Sequence, residues 1–416
     1  MTEAPEKQKR NLPALRKELF VSSPFPMPPS HSVDMTGKSI LQVVPELDVG
    51  GAEITTLEMA RAIVASGGRA LVATQGGALA SDIERAGGEI VTLPVASKNP
   101  WVMWKNARRL AALMRAENID LIHTRSRAPG WSGLWAGKWA GVPFMTTYHS
   151  SVQDKPRGKV FYNSILVRGR VSIANSHYTA SQIAKVYPHV VDKLRVIPRG
   201  CDVDALATEN FNAADKAAKR QQWQVPKKAF VIMCPARVTH LKGQHVLLEA
   251  LSKLTSDTQP YLVLVGSAQG RDGYVADLKA RAETLGLSER LVFAGLESNM
   301  ASAYAAADLA VVPTIRPEPF GRTIIEAQAA SLPVVASDAG GFRETVIAKP
   351  ADEGGSGWLV KPDSASALAQ ALDAALGLEP AALKAMGSHG CANVRAHYTQ
   401  TAMCNRTLHV YQELIG

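Results

Sequence analysis

Apolar residues follow two alternating patterns along most of the chain. Short runs of Val, Ile, Leu and Ala have the length of buried strands. Between these runs, apolar residues recur every three or four positions, as on one face of a helix. The first run covers 39–47, and a helical pattern over 53–65 follows it. Strands that alternate with helices predict a parallel sheet covered on both faces.

This alternation is interrupted once and then begins again. Before the interruption, the predicted strands are 39–47, 70–74, 89–93, 120–123, 143–148 and 171–174, and the predicted helices include 53–65 and 106–117. After it, the predicted strands are 230–235, 261–266, 291–294, 309–313 and 333–337, and the predicted helices are 244–253, 274–285, 300–306 and 323–330. The segment 195–204 between them is rich in turn residues and predicts a junction. The predicted fold class is therefore α/β, with two doubly wound sheets that bind ligands beyond the carboxyl ends of their strands.

The length of 416 residues fits two domains better than one. The first 35 residues hold six prolines and little apolar periodicity, so we expect a disordered leader over 1–37. The predicted N-terminal Rossmann-like domain covers 38–200 and the C-terminal one covers 201–398. A final helix is expected within 399–416.

Neither a membrane segment nor a signal peptide is predicted. No run of eighteen residues is continuously apolar, and the N-terminus is polar and rich in proline. The four cysteines are scattered, without the spacing of a metal site or a disulfide framework, which is typical of a reducing compartment. We therefore expect a cytoplasmic protein.

The net charge of +9 is concentrated in one part of the chain. Residues 101–170 contain twelve Lys and Arg against three acidic residues, together with five of the seven tryptophans. Trp131, Trp135 and Trp139 recur at a spacing of four and share one face of a predicted helix. The cations near them are Arg125, Arg127, Lys138, Lys155, Arg157 and Lys159. This segment either docks peripherally on an anionic membrane or consists of core tryptophans and solvated cations.

The sequence PEPFGRTIIEAQAA, at 317–330, carries the strongest candidate chemistry. Glu318 follows a predicted strand. Gly321 and Thr323 open the next helix, and Glu326 lies one turn inside it. Free N–H groups at a helix N-terminus bind phosphate, and a carboxylate one turn farther can accept two hydrogen bonds from a vicinal diol such as a ribose. The alternative is a pair of surface glutamates, the second favoured by the helix dipole.

Three shorter features lie at the ends of other predicted strands. Arg237 and Lys242 are placed to neutralise a pyrophosphate leaving group, although most such cations are merely solvated. Gly50 and Gly51, in GGAE, allow a backbone to approach an anion closely, but a plain tight turn has the same sequence. His149 comes just after a predicted strand of the first half and is either structural or catalytic.

Together these motifs resemble a known family. The E-x7-E signature of Glu318 and Glu326, the early GGAE, the pair Arg237 and Lys242, and the later AGGFRE at 339–344 occur in the order found in glycosyltransferase family 4. The resemblance extends over nearly all of the chain after the leader. It implies the GT-B fold, in which two Rossmann-like domains face a cleft, and a retaining, metal-independent transfer from a nucleotide-sugar donor.

The resemblance also implies a role for individual side chains. Glu326 is expected to bind the ribose hydroxyls of the donor, and Glu318 to contact the donor sugar. Arg237 and Lys242 are expected to hold the diphosphate. His149 is expected to lie beside the transferred sugar.

The remaining implied contacts involve backbone or apolar surface. Amides are offered to the sugar and the phosphate by Phe320, Gly321, Arg322 and Thr323. Gly50 and Gly51 approach the distal phosphate from the opposite domain, and the segment 293–296, which ends at Leu296, lies along the base. The final helix is expected to cross back onto the N-terminal domain.

Some features depart from the family or mimic other sites. Arg322 stands where the family often has a small or apolar residue, and Ala236 where it usually has glycine. GKS at 37–39 resembles the end of a P-loop, but it precedes its strand and lacks the first glycine of that motif. Asp202 and Asp204 match the DxD pattern that binds metal in other sugar transferases, but they lie at the junction and are interpreted as a linker turn.

The predicted reaction transfers a hexose from GDP-mannose or a UDP-hexose to an envelope glycan or lipid-linked acceptor, such as lipopolysaccharide core. Arg125 and Arg127 are the predicted acceptor contacts, and no metal or other cofactor is expected. One alternative is a nucleotide-sugar hydrolase or epimerase of the same fold. A second is a basic nucleic-acid-binding protein, but the chain contains no recognisable module of that kind, so nucleic acid is not an expected partner.

Overall fold

The computed structural model describes residues 33–48 and 50–416. The leader expected at 1–37 falls largely outside these residues. Val33 and Met35, which belong to its last part, are buried in the core beside the first sheet. The packed part of the chain therefore includes residues that the sequence pattern assigned to the leader.

The first half of the chain forms a seven-stranded parallel sheet. In chain order its strands are β1 (Ser39–Val43), β2 (Arg69–Thr74), β3 (Glu89–Thr92), β4 (Leu121–Thr124), β5 (Phe144–Tyr148), β6 (Ser172–Ala174) and β7 (Leu194–Val196). They lie side by side in the order β3-β2-β1-β4-β5-β6-β7, and every pairing is parallel. The strand order changes direction between β1 and β4, which opens a crevice at their carboxyl ends.

The second half forms a six-stranded parallel sheet of the same kind. Its strands are β8 (Val231–Pro235), β9 (Tyr261–Val265), β10 (Leu291–Gly295), β11 (Leu309–Val312), β12 (Val334–Ser337) and β13 (Gly357–Val360). Their spatial order is β10-β9-β8-β11-β12-β13, and all pairings are parallel. The change of direction lies between β8 and β11.

Helices cover both sheets. In the first half they are α1 (Gly51–Ala65), α2 (Ala80–Arg85), α3 (Pro100–Ala116), α4 (Arg127–Ala140), α5 (Arg157–Asn163) and α6 (His177–Val186). In the second half they are α7 (Val203–Leu206), α8 (Ala213–Gln222), α9 (Gln244–Leu251), α10 (Asp272–Thr284), α11 (Met300–Ala305), α12 (Arg322–Ala329), α13 (Phe342–Thr345), α14 (Ala365–Leu376), α15 (Pro380–His397) and α16 (Gln400–Ile415). Within the described ranges, no helix has the length and apolar character needed to cross a bilayer.

Each sheet is buried on both faces. Successive strand residues point to opposite sides, so neighbouring residues of one strand pack into different core clusters. In β1, Leu41 packs into the cluster on one face, and Ile40 packs into the cluster on the other. In β8, Ile232 and Met233 divide in the same way. The predicted fold class, with two Rossmann-like doubly wound domains, is confirmed.

The largest shift of a predicted boundary is at α3, which begins at Pro100 instead of residue 106. Asn99 caps this helix, because its side chain accepts a hydrogen bond from the Trp101 amide at 2.9 Å. The strands β7 and β13 were not predicted. Both are short edge strands, and β7 carries Arg195 at its centre, so neither produces a long apolar run. The pattern also missed α2, α5, α6, α7, α8, α13, α14 and α15.

The last helix, α16, packs on the core of the N-terminal domain. Met403, Leu408 and Tyr411 are buried in the cluster that also contains residues of β1 and α1. The Tyr411 hydroxyl lies 2.7 Å from Nδ1 of His123 in β4. The start of α16 passes very close to Gly200. A Cβ atom on Gly200 would come within 2.3 Å of the Thr399 carbonyl oxygen. The chain therefore crosses between its two domains twice at one place.

Candidate active site

Three loops of the C-terminal domain meet at the carboxyl edge of its sheet. They follow β8, β11 and β12, which are neighbours in the sheet. Gly243, in the first loop, has φ +73°, and a Cβ atom there would come within 1.9 Å of the Pro313 carbonyl oxygen in the second loop. Gly340, in the third loop, has φ +68°, and a Cβ atom there would come within 2.1 Å of the Glu318 carbonyl oxygen. Only glycine permits both the backbone conformation and the close approach at these points.

Lys242 and Glu318 form an ion pair within this group of loops. The distance from Nζ to Oε1 is 2.5 Å, although the residues are 76 apart in sequence. Both side chains are partly exposed. The structure therefore brings together a cation predicted to hold phosphate and a carboxylate predicted to contact the sugar.

Helix α12 begins beside this pair. Gly321, its N-cap residue, has φ +100°, and a Cβ atom there would overlap the Phe342 ring. Because Gly321 has no side chain, it supplies no capping oxygen for the amides of Arg322 and Thr323. A helix start of this kind can donate these amides to an anion.

Glu326 belongs to a chain of charged groups that joins the two domains. Its Oε1 accepts a hydrogen bond from Arg322 Nε at 2.8 Å. Nη2 of the same arginine lies 2.8 Å from Oε1 of Glu58, in α1 of the N-terminal domain. The Tyr304 hydroxyl lies 3.5 Å from the second oxygen of Glu326. Arg322 thus connects the predicted ribose ligand to the opposite domain.

This charged chain is shielded from solvent. Burial lowers the pKa of Arg322, but the charges and hydrogen bonds of Glu58 and Glu326 outweigh that effect and raise it above its usual value. Glu58 is 4% exposed. Burial, and then the charge of Glu326, raise the pKa of Tyr304 well above its usual value, so this hydroxyl stays a neutral donor.

The other predicted donor contacts differ in exposure. Arg237 is exposed at the end of β8, where its Nη1 lies 3.2 Å from the Gln269 side-chain oxygen. Leu296 follows β10 and is 72% exposed. Phe320 is buried, and its ring packs on Tyr398 with 5.8 Å between centroids. Its side chain therefore serves packing, whereas Arg237 and Leu296 are accessible to a ligand.

The N-terminal domain contributes the start of α1. Gly50 is extended and caps this helix, and a Cβ atom on Gly51 would meet nothing within 4 Å. That open space lets a ligand approach the backbone of Gly51. The Glu53 carboxylate lies close beside Gly50, however, so a carboxylate already stands near these amides.

His149 follows β5 in the same domain. Its Nδ1 is buried and has no hydrogen-bond partner among the described residues. Burial, and then the positive charges of Arg199, Arg125 and Arg127, lower the pKa of His149 to about 3. The imidazole is therefore neutral at physiological pH.

The two predicted acceptor contacts lie in different surroundings. Arg127 is half-buried and donates hydrogen bonds to Asn163 Oδ1 at 2.6 Å and to Ser150 Oγ at 2.9 Å. Arg125 is 1% exposed and lies beneath α1 and α16. A ligand at the surface therefore reaches Arg127 but not Arg125.

A second contact between the domains was not predicted from the motifs. The Pro319 carbonyl accepts hydrogen bonds from Ser176 Oγ at 2.5 Å and Thr179 Oγ1 at 3.1 Å. The Glu344 carboxylate accepts from the first two amides of α6, at 2.9 and 2.7 Å. Glu344 ends the AGGFRE motif, so that motif was a signal for the site as a whole. Glu58 had no comparable signal, because it is a single glutamate in the middle of α1 and belongs to no motif.

The DxD pair behaves as the linker turn that its position suggested. Asp202 caps α7 by accepting a hydrogen bond from the Ala205 amide at 3.0 Å. Asp204 lies 2.7 Å from Arg395 in α15. Both carboxylates therefore have structural partners at the domain junction.

The tryptophan stripe is divided between the core and the surface. Trp131 is buried, and Trp135 packs against the same core. Trp139 is exposed, as are Trp104 and, at 71%, Trp101. The interpretation as core is therefore correct for Trp131 and Trp135, whereas Trp139, Trp104 and Trp101 are accessible at the surface.

Comparison with known proteins identifies the family. Residues 49–205 match the family model described as Glycosyltransferase Family 4, and residues 215–390 match Glycosyl transferases group 1. A crystal structure of a glycosyltransferase from Rickettsia africae ESF-5 has a TM-score of 0.82 and 32% identity, covering 91% of this chain and 98% of that one. Alr3699/HepE from Anabaena, solved with UDP and glucose, has a TM-score of 0.77 and 24% identity, covering 90% and 99%.

A similarity in sequence extends to named enzymes. The D-inositol 3-phosphate glycosyltransferase of Xylanimonas cellulosilytica is 28% identical over 330 residues, which are 72% of this chain and 78% of the relative. The two family models together span most of both sheets, and the Rickettsia enzyme matches nearly end to end. The chain is therefore a glycosyltransferase and belongs to glycosyltransferase family 4, with the GT-B fold.

Proposed function

We propose that this enzyme transfers a hexose from a nucleotide-sugar donor to an envelope glycan or lipid-linked acceptor, with retention of configuration and without a metal ion. The observation that carries the proposal is the meeting of Lys242, Glu318 and the uncapped start of α12 at one sheet edge. Glu326, one turn inside α12, adds a carboxylate for the ribose hydroxyls. At this edge, cations and amides are available to bind phosphate, and carboxylates are available to bind sugar hydroxyls.

Departure of the nucleoside diphosphate is the step that these groups support. As the bond to the sugar breaks, an oxocarbenium-like centre forms and negative charge grows on the leaving phosphate. Lys242, Arg237 and the α12 amides stabilise that charge where it develops. Glu318 is paired with Lys242, so we infer that it contacts the sugar and is not a nucleophile. The acceptor then attacks the anomeric carbon from the same face that the phosphate leaves, so the anomeric configuration is retained.

The donor assignment is tested by thermal-shift measurements with UDP-glucose, UDP-galactose and GDP-mannose. UDP-glucose is the first probe, because HepE was also solved in complex with it. A donor at about 100 times its Kd stabilises the folded protein by about 2.7 kcal/mol. Glu326→Ala is expected to abolish the shift. A variant that keeps the shift and wild-type turnover at low donor concentration would show that Glu326 does not bind the ribose.

The metal-independent part of the proposal has a separate test. Lys242 and Arg237 supply the positive charge that a divalent cation supplies in other transferases. Turnover is therefore expected to be unchanged after dialysis against EDTA. Activity that is lost on chelation and restored by Mg²⁺ or Mn²⁺ would overturn this part alone.

A groove beside α4 and α5 favours an anionic, amphiphilic acceptor. It has a volume of about 530 Å³, with an apolar lining that includes Leu134, Val160 and Phe161. The cations around it are Lys138, Arg157, Arg168 and Lys193. Exposed tryptophans of α3 and α4 lie in the same basic segment. Such a surface suits an anionic membrane that carries a lipid-linked acceptor.

Sedimentation with vesicles tests this surface. Wild-type protein is expected to pellet with anionic but not zwitterionic vesicles at low salt. The double variant Trp101→Ala/Phe161→Ala is expected to lose binding, whereas Leu296→Ala, an exposed apolar change on the other domain, keeps it. Absence of wild-type binding to anionic vesicles would refute membrane docking and leave the donor chemistry untouched.

The relatives supply a second acceptor for the same assay. Because they are named D-inositol 3-phosphate glycosyltransferases, that compound is assayed beside lipid-linked glycans and lipopolysaccharide core. Transfer to the inositol phosphate alone would replace the envelope acceptor by a small phosphorylated polyol. Release of free sugar at the full rate without any acceptor would indicate a hydrolase of the same fold.

A further inference from the structure

The start of α6, in the N-terminal domain, contacts the loop that carries Glu318. Ser176, the N-cap residue of α6, and Thr179 both direct their hydroxyls at the Pro319 carbonyl oxygen, at 2.5 and 3.1 Å. The two side chains are 0% and 1% exposed. Pro319 directly follows Glu318 in the chain. The backbone beside the proposed sugar contact is therefore held by hydroxyls of the opposite domain.

The same helix start also holds the neighbouring loop of the C-terminal domain. The Glu344 carboxylate accepts hydrogen bonds from the amides of His177 and Tyr178, because the N-terminus of a helix favours negative charge. The two loops are joined to each other, since the Gly341 amide donates a hydrogen bond to the Glu318 carbonyl at 2.9 Å. Movement of α6 away from the C-terminal domain would therefore release both loops together.

These contacts hold the sugar end of the proposed donor site and not its nucleotide end. Lys242, Glu326 and the amides at the start of α12, which are proposed to bind the diphosphate and the ribose, all belong to the C-terminal domain. The orientation of the backbone at Glu318, in contrast, depends on hydroxyls that are in place only while the two domains touch here. Such orientation matters, because a displacement of about 1 Å at a reacting centre can cost about 10²-fold in rate.

We propose that Ser176 and Thr179 are positioning residues for the transfer step. They fix the backbone at Glu318 when the domains close, so transfer depends on them, whereas binding of the nucleoside diphosphate does not. This role rests on the proposed function, since Glu318 is taken as the contact to the donor sugar. The two hydroxyls act through the Pro319 carbonyl and not through contact with the substrate. An open enzyme can therefore hold the nucleotide without transferring the sugar.

The variant Thr179→Val removes one hydroxyl and leaves the cap of α6 in place, because Ser176 accepts its capping hydrogen bond from the Thr179 amide. Turnover is measured with whichever of UDP-glucose, UDP-galactose and GDP-mannose serves as donor, and we expect kcat to fall about 10-fold. The Kd of the corresponding nucleoside diphosphate, measured by calorimetry, is expected to equal that of the wild type. Thr179→Ser keeps a hydroxyl and is expected to restore most of kcat.

Thr407→Val is the matched control. Thr407 is also buried, but its hydroxyl donates to the Met403 carbonyl within its own helix, at 2.9 Å. We expect this variant to keep wild-type kcat. A second measurement needs no donor: in hydrogen–deuterium exchange, peptides that cover 314–321 are expected to exchange faster in Thr179→Val than in the wild type or in Thr407→Val, because the loop opens more often.

Several results would overturn the proposal. They are wild-type kcat in Thr179→Val, an equal loss of kcat in Thr179→Ser, and unchanged exchange of residues 314–321. A loss of kcat that is shared by Thr407→Val, or matched by an equal loss of affinity for the nucleoside diphosphate, would also overturn it, because either result indicates a general structural effect. If the wild type binds none of the three donors, the proposed function fails, and the exchange measurement still decides whether Thr179 holds the Glu318 loop.

Discussion

At the scale of single residues, most charges of the proposed donor site are paired with one another. Lys242 contacts Glu318, and Arg322 contacts both Glu326 and Glu58. Paired charges keep their orientation, so they cost little reorganisation when charge develops on a substrate. Two residues are exceptions: Arg237 lies 3.2 Å from the neutral side chain of Gln269, and burial and neighbouring arginines keep His149 neutral.

Replacement of Lys242 by methionine tests the leaving-group role. We expect Lys242→Met to reduce kcat by about 10²–10³-fold, the usual effect of removing one group that stabilises transition-state charge. Stability is expected to change by less than about 1 kcal/mol, because the pair with Glu318 is partly exposed. Steady-state kinetics and urea unfolding measure the two effects. Lys253→Met, an exposed change just after α9, is the control, and wild-type kcat in Lys242→Met would contradict the role.

The pKa of His149 predicts a dependence of stability on pH. Unfolding returns the imidazole from a pKa of about 3 to its usual value of 6.5, so between these values the unfolded chain binds the extra proton. Stability therefore falls as pH falls from 6.5 towards 3, by at most about 1.4 kcal/mol per pH unit for this group.

The variant His149→Gln cannot take up that proton and is expected to lose less stability on acidification. Urea unfolding at pH 5, 6 and 7 measures the slope. Part of the slope is expected to remain, because burial also lowers the pKa of His123. His189→Gln, at an exposed position, is the control. An unchanged slope in His149→Gln would show that this residue is not held neutral.

At the scale of elements, glycine contacts between loops place the donor-site side chains. The loops after β8, β11 and β12 touch backbone to backbone at Gly243 and Gly340. These contacts leave no room for a Cβ atom, so loop geometry depends on residues that carry no functional group. The same dependence applies to Gly321 at the start of α12.

Two glycine substitutions separate close approach from backbone strain. Both glycines have a positive φ, +68° at Gly340 and +81° at Gly354. The Cβ atom added by Gly340→Ala would lie within 2.1 Å of the Glu318 carbonyl oxygen, whereas the one added by Gly354→Ala would meet nothing within 4 Å. We expect Gly354→Ala to cost about 1 kcal/mol and to keep wild-type kinetics. Gly340→Ala is expected to cost more than about 2 kcal/mol and to reduce donor affinity at least several-fold. Equal kinetics in the two variants would show that Glu318 is not placed by this contact.

At the scale of the whole molecule, charged and polar contacts connect the two domains across the cleft. Arg322 reaches Glu58 on one side, and the start of α6 binds Pro319 and Glu344 on the other. Helix α16 adds a third connection by packing on the N-terminal core. Donor-site geometry is thereby coupled to the relative position of the domains.

Removal of the charge on Glu58 tests this coupling. Glu58→Gln leaves the partly buried Arg322 with one counter-charge, and we expect both a loss of about 1–3 kcal/mol in stability and a several-fold higher KM for the donor. A double-mutant cycle with Arg322→Gln is expected to show a coupling of about 0.5–3 kcal/mol. Glu413→Gln, which breaks an exposed pair with Arg195, is the control for stability. An unchanged KM would confine Glu58 to a structural role.

The local pattern of the chain was sufficient for the fold, and it also gave the candidate donor motifs, which stay predictions. Alternating apolar periods identify strands and helices because each element buries its own face, and two series of them imply two sheets. Glu318, Glu326, Arg237 and Lys242 were identifiable because each lies at the end of a predicted strand or the start of a helix, where parallel sheets bind ligands.

Only the tertiary structure showed which of these groups touch and what else joins them. Lys242 contacts Glu318 because two loops far apart in sequence meet through glycine. Glu58 carries no local signal, since it lies in the middle of a helix. Its importance comes from burial beside Arg322, a residue of the other domain. Long-range packing decides this contact, and packing between segments cannot be read from the periodicity of either segment alone.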